Sequence, residues 1–315
     1  MGEDAEDALN TVRAVAPRVS NWGRWGEDDE RGTLNHITPE AVARAAACVR
    51  RGKVFSLALP LDEHGPMDQD STGRFNPIHK MTRYRGDSAS GKMFPHHRSS
   101  DDMAIIALQS STQWDSLAHV WYDDKLYNGF PADSITAGGA RHCSIANMRE
   151  KMVARAVLAD VARWKGVDIL PDDYGITPDD LDATLSHQGC EPASGDILLL
   201  RTGCVGAWQR DGSGLGLKQP GLAFECAEWL HAREIAAVAA DNIAVERLTP
   251  APGQAMMGLH MLALRDMGMP FGELFVLDEL AADCAETGVY EMMLCAAPLY
   301  FPRAVGSPLN PIAIK

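Results

Sequence analysis

Two periods of apolar spacing run along this chain. A helical rhythm marks residues 38–52 (TPEAVARAAACVRRG), where Thr38 suits an N-cap, Pro39 the first helical position and Gly52 the stop. It returns at 177–189 (TPDDLDATLSHQG), with Thr177 and Asp180 in capping-box positions and Gly189 as the stop. It returns again at 221–234, where Leu222, Cys226, Trp229 and Leu230 share one stripe, and from residue 256 to about Gly268. Shorter apolar runs fall at 54–61, 103–109, 153–162, 195–203 and 235–241. The runs at 195–203 and 235–241 read as strands buried on both faces. Strands alternating with helices predict an α/β protein. Residues 62–100 show little periodicity and many Gly, Pro, Asp, Ser and His, so they read as a long loop insertion. Residues 1–35 read as an acidic lead followed by a Gly-rich loop anchored by Trp22 and Trp25. No repeat or linker divides the chain, which predicts one domain over 1–315.

Composition narrows the function. A hydrophobic fraction of 46% over 315 residues allows a substantial core. A net charge of −14 argues against nucleic acid and against an anionic membrane face. No apolar run is long enough to span a bilayer, and the acidic opening MGEDAEDALN does not read as a secretory signal. The seven cysteines are scattered, with no C-x-x-C, which suits reduced packing residues in a cytoplasmic protein.

The chemistry gathers in LQSSTQWDSLAHVWYD, residues 108–123. On a strand, side chains repeat every two residues, so Gln109, Ser111, Gln113 and Asp115 would share one face, with His119 just beyond. Spacing alone fits a half-exposed strand at least as well as a site. A second group lies at 256–273, where His260 stands among Met and Leu and Glu273 follows a Pro270–Gly272 turn. By pattern alone these read as a core histidine and a loop carboxylate. Asp241 and Asn242 follow a strand end, where sites collect in α/β sheets and where turns form just as readily.

Several pieces in order change that balance: NWGRWGEDDERGTLN, STQWDSLAHVWYDDKLYNG, GDILLLRTG, AADNIAVE, LH ahead of GE, and GSPLNPIAI. Together they resemble the cyclase-like metal-dependent hydrolase family, which includes kynurenine formamidase, isatin hydrolase and trans-dienelactone hydrolase. The family motif H-x-G-T-H-x-D-x-P-x-H falls with its first His on Gln109, its Gly on Ser111 and its Thr on Thr112. Its second His falls on Gln113, its Asp on Asp115, its Pro on Leu117 and its last His on His119. Two imidazoles are therefore amides, and the chain resembles a glutamine-bearing branch.

The resemblance implies a single swivelling β/α/β domain, with a mixed, barrel-like sheet and flanking helices. It implies one divalent ion held by Gln109, Gln113, Asp115, His260 and Glu273, with His119 as proton shuttle. A Gln carbonyl is a hard, neutral donor, which favours Mn²⁺ over Zn²⁺. Glutamines that only position water, or a metal-free amide pocket, remain open alternatives. The implied reaction is hydrolysis of a small cyclic amide, lactone or acyl compound, with a lyase or dehydratase or a non-catalytic binding protein as the other classes. Trp22, Trp25, Phe75, His79, Trp114 and Tyr127 are candidate walls for the substrate. The family also implies a homodimer or homotetramer, for which the two-Trp arm and the apolar C-terminal end are the features in this chain.

Overall fold

A computed structural model describes residues 3–67, 72–85 and 99–315. Of the long insertion, residues 68–71 and 86–98 lie outside the described residues. The strands of three or more residues are β1 (Val54–Ser56), β2 (Ile78–Arg83), β3 (Asp101–Ile105), β4 (Gln113–Asp115), β5 (Val153–Asp160) and β6 (Ile197–Arg201). They continue with β7 (Ala237–Ala240), β8 (Phe271–Glu273), β9 (Glu291–Cys295), β10 (Gly306–Pro308) and β11 (Ile312–Ile314). Nine of them form one mixed sheet in the order β1-β11-β9-β5-β6-β7-β8-β4-β10. Its centre, β5-β6-β7-β8, is parallel, and both margins are antiparallel. The expected mixed α/β fold is what forms.

The parallel strands read VARAVLAD, ILLLR and AVAA because both of their faces are covered. One face meets a core containing Phe55, Trp114, Leu199 and Phe275. The other meets a core containing Val157, Leu200, Val238 and Phe271. The helices are α1 (Glu3–Val19), α2 (Pro39–Ala46), α3 (Val161–Trp164), α4 (Pro178–Gln188), α5 (Cys204–Asp211), α6 (Cys226–Ala232), α7 (Gly258–His260) and α8 (Asp278–Thr287). All seven cysteines are free.

Local signals set most helix starts. Thr38 accepts a hydrogen bond from the Ala41 amide, and Thr177 and Asp180 form the full capping box, with Gly189 left-handed at the end. The first expected helix is shorter than 38–52. It stops at Ala46, and its buried residues are Ala41 and Ala45, so nothing anchors a further turn. Strand 54–61 shortens to β1, because Leu57 donates to Pro311 and accepts from Val276, which turns the chain off the sheet edge. The 221–234 helix begins only at Cys226.

Both ends of the chain pack on the chain itself. Val12, Ala16 and Val19 of α1 enter the core beside Leu262 and Phe271. Asn21 bonds the carbonyls of Asp266 and Met267, and Trp22 donates to the Arg265 carbonyl. β11 is inserted between β1 and β9. The arm and the apolar C-terminal end are therefore satisfied in cis, and their composition needs no neighbouring subunit. β2, from the insertion, pairs with β3 just beyond its end in a hairpin whose residues are all exposed.

Candidate metal centre

The site forms where the antiparallel margin meets the parallel centre. β4 runs between β8 and β10, with Gln113 opposite Glu273 and Asp115 opposite Gly306. Cross-strand partners share a face, and so do residues two apart on one strand. Gln113, Asp115 and Glu273 are thereby brought to one side by register alone. Thr112 and Trp114 take the opposite side. Thr112 donates to the Leu274 carbonyl, and Trp114 donates to the Ala296 carbonyl and lies edge-on to Phe275.

His260 arrives from α7. A π-helical turn, Met261–Met267, follows it directly and ends at left-handed Gly268. Such winding is rare and concentrates at functional sites. The ring of His260 is fully buried and edge-on to Phe271. Glu246 fixes it from behind, accepting from the His260 amide at 2.8 Å, the Leu259 amide at 3.1 Å and His260 Nδ1 at 2.6 Å. With the Nδ1 proton committed to Glu246, Nε2 is turned toward Glu273, 3.4 Å from Oε1.

Ligand-type atoms of Asp115, His260 and Glu273 all lie within 4.8 Å of one another, and all three residues are buried. Gln113 donates its amide to Glu273 Oε2 at 2.6 Å, leaving its carbonyl oxygen buried and without a partner. Both oxygens of Asp115 and Nε2 of His260 are likewise buried and unpartnered. A folded chain rarely leaves even one such group unmet, because each costs about 1–3 kcal/mol. Here one imidazole nitrogen and three oxygens are unmet together, beside a second carboxylate. That donor set fits a divalent cation.

The electrostatics describe the same strain. Burial pushes the Asp115 carboxyl up to about 6, with Glu273 adding to the rise and His119 opposing it. Burial alone would depress the His260 imidazole, but its hydrogen bond to Glu246 and the nearby Glu273 carboxylate overcome this and raise it to about 10. A cation here would displace that extra proton. Burial lowers His119, with Asp115 pulling the other way. His119 Nε2 stands 3.7 Å from Asp115 Oδ1, and the His119 side chain is 21% exposed.

Gln109 also reaches the site face. Its side-chain amide lies where a Cβ on Gly306 would stand, 2.3 Å from that point, and Gly306 is the register partner of Asp115. Any side chain at 306 would expel it. Gly221 acts similarly at one remove, since a Cβ there would strike the Glu246 backbone at 2.4 Å.

The expected substrate walls do not assemble here. Trp114 faces the core on the far side of the strand, and Tyr127 is fully buried with its hydroxyl on Asp29. Trp22 clamps the N-terminal arm onto Arg265, and Trp25 lies edge-on to His36. His79 is exposed on the hairpin and pairs with Asp102 at 2.8 Å. Phe75 is half-buried, next to Arg74. Asp241 and Asn242 are turn residues. Asp241 accepts from the Thr202 and Gly203 amides, and Asn242 bonds Pro220 and Val245, which leads the chain to Glu246. Glu246 and Arg74 carry no expectation from sequence, although Glu246 closes the fragment AADNIAVE. A hollow of about 330 Å³ lined by Cys48, Arg50, Cys190 and Lys315 lies toward the other end of the sheet and holds none of these groups.

The family described as "Putative cyclase" matches residues 55–247. A crystal structure described as a novel cyclase is 42% identical, covers 94% of this chain and 100% of its own, and superposes with a TM-score of 0.85. The chain belongs to the cyclase family. Isatin hydrolase A from Labrenzia aggregata, bound to benzyl benzoate, is 19% identical, with 85% and 94% of the two chains covered and a TM-score of 0.61. A predicted metal-dependent hydrolase from Bacillus stearothermophilus is 15% identical, with 84% and 98% covered and a TM-score of 0.53. These two share the fold of this cyclase-family chain. Among curated proteins, none matches the sequence. No described helix is long and apolar enough to cross a membrane.

Proposed function

We propose that this cyclase-family protein is a metal-dependent hydrolase of a small cyclic amide, lactone or acyl compound. The observation that carries this reading is the buried, unpartnered set of Gln113 Oε1, Asp115 Oδ1 and Oδ2 and His260 Nε2, with a partly exposed imidazole, His119, at its edge. Asp115, His260 and Glu273 would hold one divalent ion, with the Gln113 carbonyl as a further donor and the Gln109 amide beside it. Oxygen donors from three residues and one nitrogen favour Mn²⁺ over Zn²⁺. Such an ion supplies Lewis acidity, which lowers the pKa of water and polarises a substrate carbonyl.

The chain's own residues do the rest. His119, kept neutral by burial, is placed to take the proton of the attacking water and hand it to the departing nitrogen or oxygen. Asp115 sits near its Nε2 and favours the imidazolium formed in between. The bond between the His119 amide and the Ser116 carbonyl, 3.0 Å, fixes the turn that presents the ring. Glu246 keeps Nε2 of His260 available, and the Gln113 amide stops Glu273 from rotating away.

Product analysis in oxygen-18 water, with elemental analysis of the same sample, tests the reading. Hydrolysis places one solvent oxygen in the acid product, and about one Mn²⁺ per chain is expected. Product without solvent oxygen would assign a lyase instead. Self-association belongs to the same proposal. The exposed Ile78, Met103 and Ile105, which share one face of the hairpin, are the surface that supports it, and light scattering reporting a monomer would remove it.

A further inference from the structure

Many arginines of this chain are paired with a carboxylate. Arg13, Arg155, Arg163, Arg201 and Arg265 each hold a carboxylate within 3.0 Å. Arg74 is half-buried and has no carboxylate partner among the described residues. Among the described residues its one side-chain bond is from Nη1 to the Gln109 carbonyl, 3.1 Å, which leaves most of the guanidinium donors without a described partner. That contact fixes its position, because Gln109 carries the amide that lies over Gly306, directly across from Asp115. The positive charge of Arg74 is also felt at both Asp115 and His119.

The two residues after Gln109 add to this. Ser110 and Ser111 are each 1% exposed, and both hydroxyls are buried without a partner. Ser111 lies two residues before Gln113, in the bend that leads into β4. Beside the candidate metal centre, Arg74 and two buried hydroxyls thus stand together, the first without a carboxylate and the other two without a partner among the described residues. A planar guanidinium is suited to a carboxylate, which it meets with two parallel bonds.

We propose that Arg74, with Ser110 and Ser111, reads a carboxylate on the substrate, so that the substrate is an acidic acyl compound. This rests on the hydrolase reading for the word substrate, but not for the binding itself. The carboxylate is bound next to the reacting carbonyl and is not consumed. Arg74 is a specificity-determining residue, and its removal should spare neutral substrates.

Benzoate and benzamide are the binding probes, measured by calorimetry on full-length, Mn²⁺-loaded protein. Arg74→Met should weaken benzoate by about 10- to 100-fold and leave benzamide unchanged. Arg74→Lys should recover part of the loss, which also guards against a folding defect in the Met variant. In parallel, p-nitrophenyl hemisuccinate should exceed p-nitrophenyl acetate in kcat/KM, and Arg74→Met should erase that preference through KM. Equal losses for benzoate and benzamide would make Arg74 a support for the Gln109 turn and overturn the proposal. So would unchanged benzoate binding in Arg74→Met, or no benzoate binding to the wild type. If neither ester is hydrolysed while the benzoate difference stands, the hydrolase reading falls and the anion subsite remains.

Discussion

Asp115 and Asp283 are each 1% exposed or less and lie toward opposite ends of the same sheet, yet the fold treats them in opposite ways. Asp283, on α8, is met by Arg51 at 3.0 Å, Lys53 at 2.7 Å and Lys315 at 2.9 Å. Burial alone would raise its carboxyl, but the bonds from Lys53, Lys315 and Arg51 hold it well below the usual carboxylate range. Lys315 is itself 3% exposed and donates also to the Val289 carbonyl. Asp115 accepts no hydrogen bond among the described residues, faces Glu273, and is pushed up to about 6. A chain that can surround one buried carboxylate with three cations has left another bare. The difference separates a carboxylate kept for stability from one kept for an external cation.

The largest effect should come from Asp115→Ala. The variant should lose bound metal and about 10³-fold or more of its turnover, since several kcal/mol of transition-state stabilisation go with the ion. Its metal-free form should be as stable as metal-free wild type to within about 1 kcal/mol, because no favourable partner is lost. Retained metal in this variant would remove Asp115 from the centre and collapse the contrast with Asp283.

His119→Ala comes next. Loss of a proton shuttle should lower kcat by roughly 10²–10⁴-fold. Metal content should stay near that of the wild type, because His119 stands at the edge of the cluster and outside the buried triad. An emptied site would make His119 a ligand.

Asp283→Ala should do the reverse of Asp115→Ala. It strands buried Lys315 and should cost about 3 kcal/mol of folding stability, with turnover per folded molecule unchanged. The pH dependence follows from the sign of the shift. A depressed native carboxyl contributes stability that is present above the ordinary carboxylate range and lost as pH falls through and below about 4. Denaturant midpoints of wild type and variant should therefore differ at pH 7 and begin to converge only below about pH 4. A constant difference would mean that packing, and not the ion cluster, carries the effect.

Much of this contrast was legible before the structure, but unevenly. Alternation in QSSTQWD put Gln113 and Asp115 on one face, and the register with β8 and β10 agrees. The buried parallel strands were legible because doubly covered strands have no polar face to hide. His260 and Glu273 were reachable only through family resemblance, since a lone His among Met and Leu has no pattern of its own. Glu246 was missed because its role depends on where α7 begins, a tertiary fact. Trp114 was misread as a wall although the same alternation that found the site assigns it to the opposite face. The exposed run at Met103–Ile105 shows the limit of hydrophobicity as a guide, since those apolar residues lie on a hairpin open to solvent.

The smallest effect concerns the two glutamines, and it sharpens what the bare aspartate is for. Gln113 is bonded through nitrogen to Glu273, so its carbonyl is free for a cation, and it lies among the unpartnered donors. Gln109 is half-exposed, its backbone carbonyl is occupied by Arg74, and its amide rests over Gly306. A histidine at 113 would add a second imidazole to a site otherwise made of oxygen, which moves the balance toward zinc. Gln113→His should therefore raise the Zn²⁺ to Mn²⁺ affinity ratio by about 10- to 100-fold, the size of effect seen when a metal's immediate surroundings change. Gln109→His should change the ratio less, because its place is set by the turn and the glycine opposite. Competition of the two ions for the metal-free protein reads this directly. An unchanged ratio in Gln113→His would mean that its carbonyl does not touch the ion, and that its contribution is only to hold Glu273. Two tightly held zinc ions in the wild type would overturn the oxygen-rich, single-ion reading altogether.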